Sequence, residues 1–454
     1  MKWIRSITLA TAAGTIAAIV SVSGATSGSA ASPTTTVPTT TVATTTVPEL
    51  TSCPASGFIP TINPRHDVQL VQNEVAAAVP CQFVSTGVNS SGAITITVSP
   101  LTSSVESRVD AALSGQGFTY TVVEGKQPLF AANRQRDALV SSFLATNQLS
   151  GDEGFSFSVS EDGTVDVELV NLPAATVQAV TSAIANAVPP DQALLGGTQP
   201  SAIVTSTADP SYGPSDACSW PSGYSDPRCI GPDRAGDWRV TTTGSVRNFC
   251  TGGPILNSAF GKLGMYAGHC AGEQNDVVSD DIGYAVGNVA GCWTCYNANP
   301  GGTYNGDVAT FTDTASSAYE GYLWTGSARQ PISATVGGYP AAFGVEACET
   351  GLNHSASHNC SSSGANSSII VNVNDTKGFV DNGKTYTIRY GYDTNNPYVV
   401  PGDSGGVSYQ PFIDGANEVM GTNTITFSGG SFESNVAEVL GMTGGSILTC
   451  GCGL

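Results

Sequence analysis

The chain has 454 residues, of which 36 are acidic and 16 basic, giving a formal net charge of −20, and only 11% of its residues are charged. A surface this acidic repels nucleic-acid phosphates and anionic membranes, so neither is an expected partner. Few charges with abundant Gly, Thr and Ser fit an extracellular β protein rich in tight turns.

At the N-terminus, Lys2 and Arg5 precede an apolar run and the small residues "GSAAS". That order reads as a secretory signal peptide over residues 1–31. No later stretch reaches the ~18 apolar residues that a membrane span needs. The expectation is a secreted, extracellular chain with no membrane span. The twelve cysteines are an even number in an exported chain. They read as disulfides, not as metal ligands or redox thiols, so no metal and no cofactor is expected. Residues 32–50, "SPTTTVPTTTVATTTVPEL", have proline every few positions and no helical period, and read as an extended linker.

Residues 51–205 mix helix and strand signals in an α+β unit large enough for its own core. "PRHDVQLVQNEVAAAV", "SSVESRVDAALSG" and "LPAATVQAVTSAIANAVPP" read as helices. In the second, Ser103 and Glu106 have capping-box spacing and Gly115 stops the run; in the third, Pro173 suits the start. "AITITV", "FTYTVV", "FSFSVS" and "TVDVELV" alternate as strands. Cys53 and Cys81 are placed to close this unit at one end. From residue 206 the texture changes to short β-rich runs broken by Gly, Asn and Pro, with ten of the twelve cysteines. Regular short strands with turn signals predict a sandwich or a pair of barrels.

The residues able to do chemistry lie in this second half. "PGDSGG" sets Ser404 among glycines, whose freedom at positive φ lets backbone N–H groups converge beside the hydroxyl as an oxyanion hole. A serine hydroxyl is a weak nucleophile without a base, and the chain has four histidines. His66 falls in a polar helix, and His354 and His358 lie in a loop between Cys348 and Cys360 that reads as disulfide-closed. His269, in the apolar run "GMYAGHCAG", is the candidate base. A buried carboxylate must orient that base. Asp307 in "NGDVATF" stands before an apolar alternation, whereas Asp276, Asp280 and Asp281 fall in a polar run and Asp313 follows the strand.

In that chain order, "YAGHC", "NGDVATF" and "PGDSGG" resemble the His, Asp and Ser motifs of chymotrypsin-fold serine proteases, and in particular the bacterial streptogrisin and α-lytic group. The resemblance extends to "CTGGPILNSAFGKLGMYAGHC", to "VGGYPAAFGVEACETGLNHSASHNC" and to "TFSGGSFES", and so covers about 190 residues. It implies an all-β catalytic domain over residues 206–454, built of two six-stranded antiparallel β-barrels and preceded by a smaller α+β pro-domain. It implies a monomeric serine endopeptidase acting on protein or peptide substrates, with its own pro-region as folding aid and inhibitor. Ser404 would be the nucleophile, His269 the base and Asp307 its orienter. Backbone N–H groups of Gly402 and Ser404 would hold the oxyanion, and Ser428, Gly429 and Gly430 would offer backbone to an extended peptide. The resemblance also suggests disulfides Cys250–Cys270 and Cys348–Cys360.

Several departures bear on this reading. Relatives carry Arg or Lys directly after the cysteine of "CETG", as a cation for the aspartate beside the nucleophile, here Asp403; Glu349 stands in that place and cannot do this. Arg389 is the first candidate for a substitute cation. Cys292 and Cys295, with Cys450 and Cys452, are expected to cross-link the C-terminus to the central region. The absence of a further carboxylate in "YVVPGD", and Phe427 before Ser428, point to an apolar or aromatic P1 residue. The alternative to an enzyme is a catalytically silent, protease-fold binding protein.

Overall fold

The computed structural model describes residues 67–88, 93–186, 202–208, 213–214, 233–235, 238–243, 246–279, 285–295, 302–313, 319–324, 329–335, 343–351, 368–381, 383–395, 399, 402–411, 417–427 and 429–450. The expected signal peptide and linker lie outside them.

In the N-terminal lobe, helices Asp67–Ala78, Ser103–Leu113 and Ala174–Asn186 form where the sequence predicts them. The second helix is capped one residue earlier than expected. Thr102 is extended, and its hydroxyl accepts from Val105 N–H at 3.2 Å, which satisfies a donor that the first helical turn leaves open. Val105, Val109 and Leu113 then recur every fourth residue and are all buried. Pro173 starts the third helix, its carbonyl accepting from Thr176 N–H at 2.9 Å. A fourth helix, Leu129–Thr146, was not predicted, because Asn133, Gln135 and Arg136 interrupt its apolar face; all three are buried. The four helices pack with a three-stranded sheet (Phe83–Val88, Ile94–Val98, Tyr120–Glu124) around one apolar core.

The remaining strands of this lobe, Gly154–Val159, Val165–Val170 and Ala202–Thr207, do not close on themselves. Gly154–Val159 pairs antiparallel with the long strand Ser368–Asp381, with Gly378 opposite Phe155 and Thr376 opposite Phe157. A β-carbon on Gly378 would lie 2.2 Å from the Phe155 ring, so this close approach requires glycine. The two halves of the chain thus share one sheet.

The C-terminal half is almost wholly β. One eight-stranded sheet gathers strands between Trp238 and Asp313 together with Ser446–Ile447. A second sheet of fourteen strands includes the hairpin of Ser368–Asp381 with Lys384–Thr394, the strands Val407–Pro411, Asn417–Phe427 and Gly430–Asn435, and the three strands of the N-terminal lobe. Within the second sheet, Glu346–Glu349, Ser368–Asp381, Lys384–Thr394, Gly430–Asn435, Asn417–Phe427 and Val407–Pro411 pair antiparallel in one closed ring of six, while the first sheet counts eight strands among the described residues. The helix Val436–Thr443 closes the second sheet, capped by Asn435 Oδ1 on Ala437 N–H at 2.9 Å and ended by Gly444 at φ 65°.

Cys250 is bonded to Cys270, as the resemblance implied. Cys292 is bonded to Cys295, so these two do not reach the C-terminal tail. Two residues between them, Trp293 and Thr294, let the chain turn back on itself, and the pair closes locally. Cys81, Cys348 and Cys450 are also disulfide-bonded; Cys53 and Cys360 lie outside the described residues.

Candidate active site

Strand Gly261–Tyr266 delivers the chain to a short 3-10 turn, Gly268–Cys270, and places His269 at its centre. The Cys250–Cys270 bond ties this turn to strand Val246–Thr251. Tyr266 is buried, accepts from Thr241 Oγ1 at 3.1 Å and packs edge-on against Phe311. It fills core space.

Asp307 sits just before strand Ala309–Asp313, the neighbour of Gly261–Tyr266, so the ladder sets it beside the histidine turn. His269 N–H donates to Asp307 Oδ1 at 3.0 Å, and His269 Nδ1 donates to Asp307 Oδ2. Thr294 Oγ1 donates to Oδ1 at 2.6 Å, and Asp307 N–H donates to Ser434 Oγ at 2.9 Å. Burial pushes the Asp307 carboxyl up. The charge of His269 and the hydrogen bonds from His269 and Thr294 outweigh it and hold the carboxyl below its ordinary value.

Ser404 arrives from the other sheet, in the turn before strand Val407–Pro411. Its hydroxyl hydrogen-bonds His269 Nε2 at 3.0 Å. Gly402 and Gly405 have φ of 100° and 87°, where a β-carbon is strained. A β-carbon on Gly405 would also lie 2.4 Å from the Thr251 carbonyl oxygen. Thr251 fixes this turn twice, by donating Oγ1–H to the Gly402 carbonyl and N–H to the Ser404 carbonyl, both at 2.9 Å. The sequence-predicted His269, Asp307 and Ser404 thus converge, and all are closed off from solvent, at 1%, 1% and 0% exposure. Phe379, on the hairpin strand that the N-terminal lobe pairs with, stands edge-on to His269 with ring centroids 6.1 Å apart.

Asp403 is fully buried, and its electrostatic neighbours include two more buried carboxyls, Glu349 and Glu433. Glu349 pairs with Ser408 and Glu433 with Tyr392 across their strands. The Glu349 and Glu433 carboxyl oxygens complete no hydrogen bond among the described residues. Burial, then Glu433, pushes Glu349 well up. Burial also pushes Glu433 to about 8, against a lowering contribution from Ser431. Burial and their mutual repulsion thus favour the protonated form of both Glu349 and Glu433. Arg389 is half-buried on strand Lys384–Thr394.

Ser428 lies outside the described residues. Gly429 lies in the turn of the hairpin, and Gly430 opens the strand Gly430–Asn435, opposite Phe427. Two adjacent glycines favour that reversal. The extended backbone next to it, Ile425 and Thr426, pairs antiparallel with Pro214 and Gly213 of the chain itself. Asp276 accepts from Glu273 N–H and Thr243 Oγ1 and closes a turn. His66, Asp280, Asp281, His354 and His358 lie outside the described residues. Among the described residues no group of three or more His, Cys, Asp or Glu could hold a metal, and no helix is long and apolar enough to cross a membrane. Sequence reading missed Thr251, Thr294 and Ser434, because single hydroxyls carry no spacing signal.

No protein-family model matches the chain, and no curated protein does. Solved structures of bacterial chymotrypsin-fold serine proteases do match it. A glutamic-acid-specific serine protease is 17% identical over 47% of this chain and 100% of its own, with a TM-score of 0.35. Cellulomonas bogoriensis chymotrypsin is 18% identical over 48% of this chain and 98% of its own, with a TM-score of 0.33. For Thermobifida fusca protease A the values are 18%, 48%, 98% and 0.34.

Proposed function

We propose that this protein is a secreted serine endopeptidase, made as a precursor whose N-terminal lobe is removed for activity. The observation that carries the reading is the continuous relay from Ser404 Oγ through His269 to the buried Asp307. Ser404 attacks a peptide carbonyl carbon while His269 Nε2 takes its proton. Asp307 holds His269 in the tautomer that leaves Nε2 free to accept, and stabilises the imidazolium that forms. His269 then protonates the leaving amine, and water, activated by the same nitrogen, hydrolyses the acyl-enzyme. Backbone N–H groups of Gly402 and Ser404 are the proposed oxyanion donors. Losing one such donor typically costs about 10²- to 10³-fold in turnover.

Two observations support the precursor. The triad is closed off in the full chain, and Gly213–Pro214 lies along the strand that an extended peptide would occupy. The N-terminal lobe, residues 51–205, acts as folding aid and inhibitor, and its removal cuts the chain close to Gly213–Pro214 and lets that pair leave the strand. The signal sequence supports export, and the absence of an extra carboxylate before Ser404 supports an apolar or aromatic P1 residue. The second reading, a silent binding protein, draws on Glu349, which stands where relatives carry a cation.

The test is labelling with a fluorophosphonate, with the adduct located by peptide mass spectrometry. The processed protein is expected to label stoichiometrically at Ser404, and the intact precursor and Ser404→Ala not at all. Folded, processed protein that fails to label would establish the binding reading instead.

A further inference from the structure

The segment "GCWTC" is not absorbed by the triad reading, yet it reaches the triad. Strand Ala285–Cys292 runs antiparallel to Ala309–Asp313, and its last pair sets Cys292 opposite Ala309, two residues beyond Asp307. The chain then folds back, Trp293 N–H donating to the Val308 carbonyl at 3.3 Å, and Cys295 closes on Cys292. Thr294 is trapped at the inner side of this small ring, 1% exposed.

Its hydroxyl has no freedom left. It donates to Asp307 Oδ1 at 2.6 Å and accepts from Val308 N–H at 3.2 Å. It also occupies the space that a side chain on residue 268 would fill, since a β-carbon on Gly268 would lie 1.7 Å from Thr294 Oγ1. One hydroxyl is therefore wedged between the backbone just before His269 and the carboxylate that orients it. With His269 N–H on the same oxygen at 3.0 Å, Oδ1 is held by two donors, and Oδ2 is turned to His269 Nδ1. A hydrogen bond to a buried carboxylate is among the stronger kinds, and its direction fixes the plane of the acceptor.

We propose that Thr294 is a positioning residue for the triad and that the Cys292–Cys295 disulfide is the clip that holds it. This rests on the serine-protease reading above. The hydroxyl sets the Asp307 rotamer and keeps its charge low in basicity; the ring keeps the hydroxyl in place when the active-site cleft opens.

The test uses the processed enzyme and compares Thr294→Val, Thr294→Ser, Cys292→Ser with Cys295→Ser, and the combination of Thr294→Val with both cysteine changes. Thr294→Val keeps the shape and loses the donor. It is expected to lower kcat by about 10- to 100-fold with KM within about 2-fold. The acidic limb of its kcat/KM profile should move to higher pH, because a carboxylate with one donor fewer binds the imidazolium proton more strongly. Thr294→Ser restores most of the rate and the profile. The paired cysteine variant mimics Thr294→Val, and the combination is no worse than either, as expected of groups acting through one contact. Wild-type rate and profile in Thr294→Val, or losses that multiply in the combination, would overturn the proposal.

If the cysteine variant does not fold, wild-type enzyme is treated with a dithiol. The dithiol gives two electrons and two protons to the bond, yielding two thiols and its own cyclic disulfide. The alkylated fraction at Cys292 and Cys295 should then track the lost rate, and full rate at full alkylation would refute the clip. The His269 Nδ1 proton resonance separates this inference from the function it rests on. An inactive, unlabelled wild type refutes the protease reading, while a resonance unmoved between wild type and Thr294→Val refutes the positioning role whether or not the protein turns over.

Discussion

Replacing Glu433 by glutamine tests the electrostatics behind the Ser404 turn. Glu433 is fully buried, completes no hydrogen bond among the described residues, and has Asp393, Asp403 and Glu349 as acidic neighbours, with Tyr392 opposite it across the strands. Burial raises its carboxyl from the usual 4.5 to about 8. Between those two values the unfolded chain has released the proton and the folded chain has kept it. Stability is therefore fully present below pH ~4.5 and falls as the pH rises through the folded value. At about 1.4 kcal/mol per pH unit the ceiling on this loss is about 5 kcal/mol, and relaxation of the neighbouring acids brings the expected figure to about 2–4 kcal/mol. Glutamine has the same shape as the neutral acid and nothing to ionise. Guanidinium unfolding of the full chain from pH 4.5 to 9 should give equal midpoints for wild type and Glu433→Gln at the acid end. A growing advantage for the variant should appear towards pH 8. Parallel curves across that range, or a wild type that gains stability with rising pH, would refute the assignment of a neutral, buried Glu433.

Two further outcomes follow from close approaches of backbone. Gly405→Ala adds a β-carbon at a φ of 87° and 2.4 Å from the Thr251 carbonyl. It should cost about 2 kcal/mol or more, read as a lower Tm, and slow the labelling of Ser404; an unchanged Tm would show that the turn has slack. Gly378→Val would drive a side chain into the Phe155 ring across the junction between the halves. Mature enzyme carrying it should be inhibited about 10- to 100-fold less tightly by wild-type N-terminal lobe added in trans, measured as Ki with a small peptide substrate. An unchanged Ki would place the inhibitory contact elsewhere.

By itself the sequence determined the local features whose cause is local. The helices Ser103–Leu113 and Ala174–Asn186 follow from apolar spacing and a proline, and "ITITV" and "FSFSV" alternate because a strand has period two. Ser404, His269 and Asp307 were legible as candidate nucleophile, base and orienter because those roles each need a particular environment, and the motifs "PGDSGG", "GHC" and "NGDVATF" display it in glycines, small residues and apolar alternation. Tertiary structure alone decided how they meet, since the histidine and aspartate come from one sheet and the serine from another. It decided that Cys292 pairs with Cys295, because connectivity depends on where a chain turns and not on how many cysteines it has. It also decided that Gly429 makes a turn and Gly430 opens a strand, that the N-terminal lobe adds strands to a sheet of the C-terminal half, and that Thr294 supports Asp307. Hydrogen bonds such as these join residues far apart in the chain or of common type, and a side chain acquires that kind of role only from the neighbours that folding gives it.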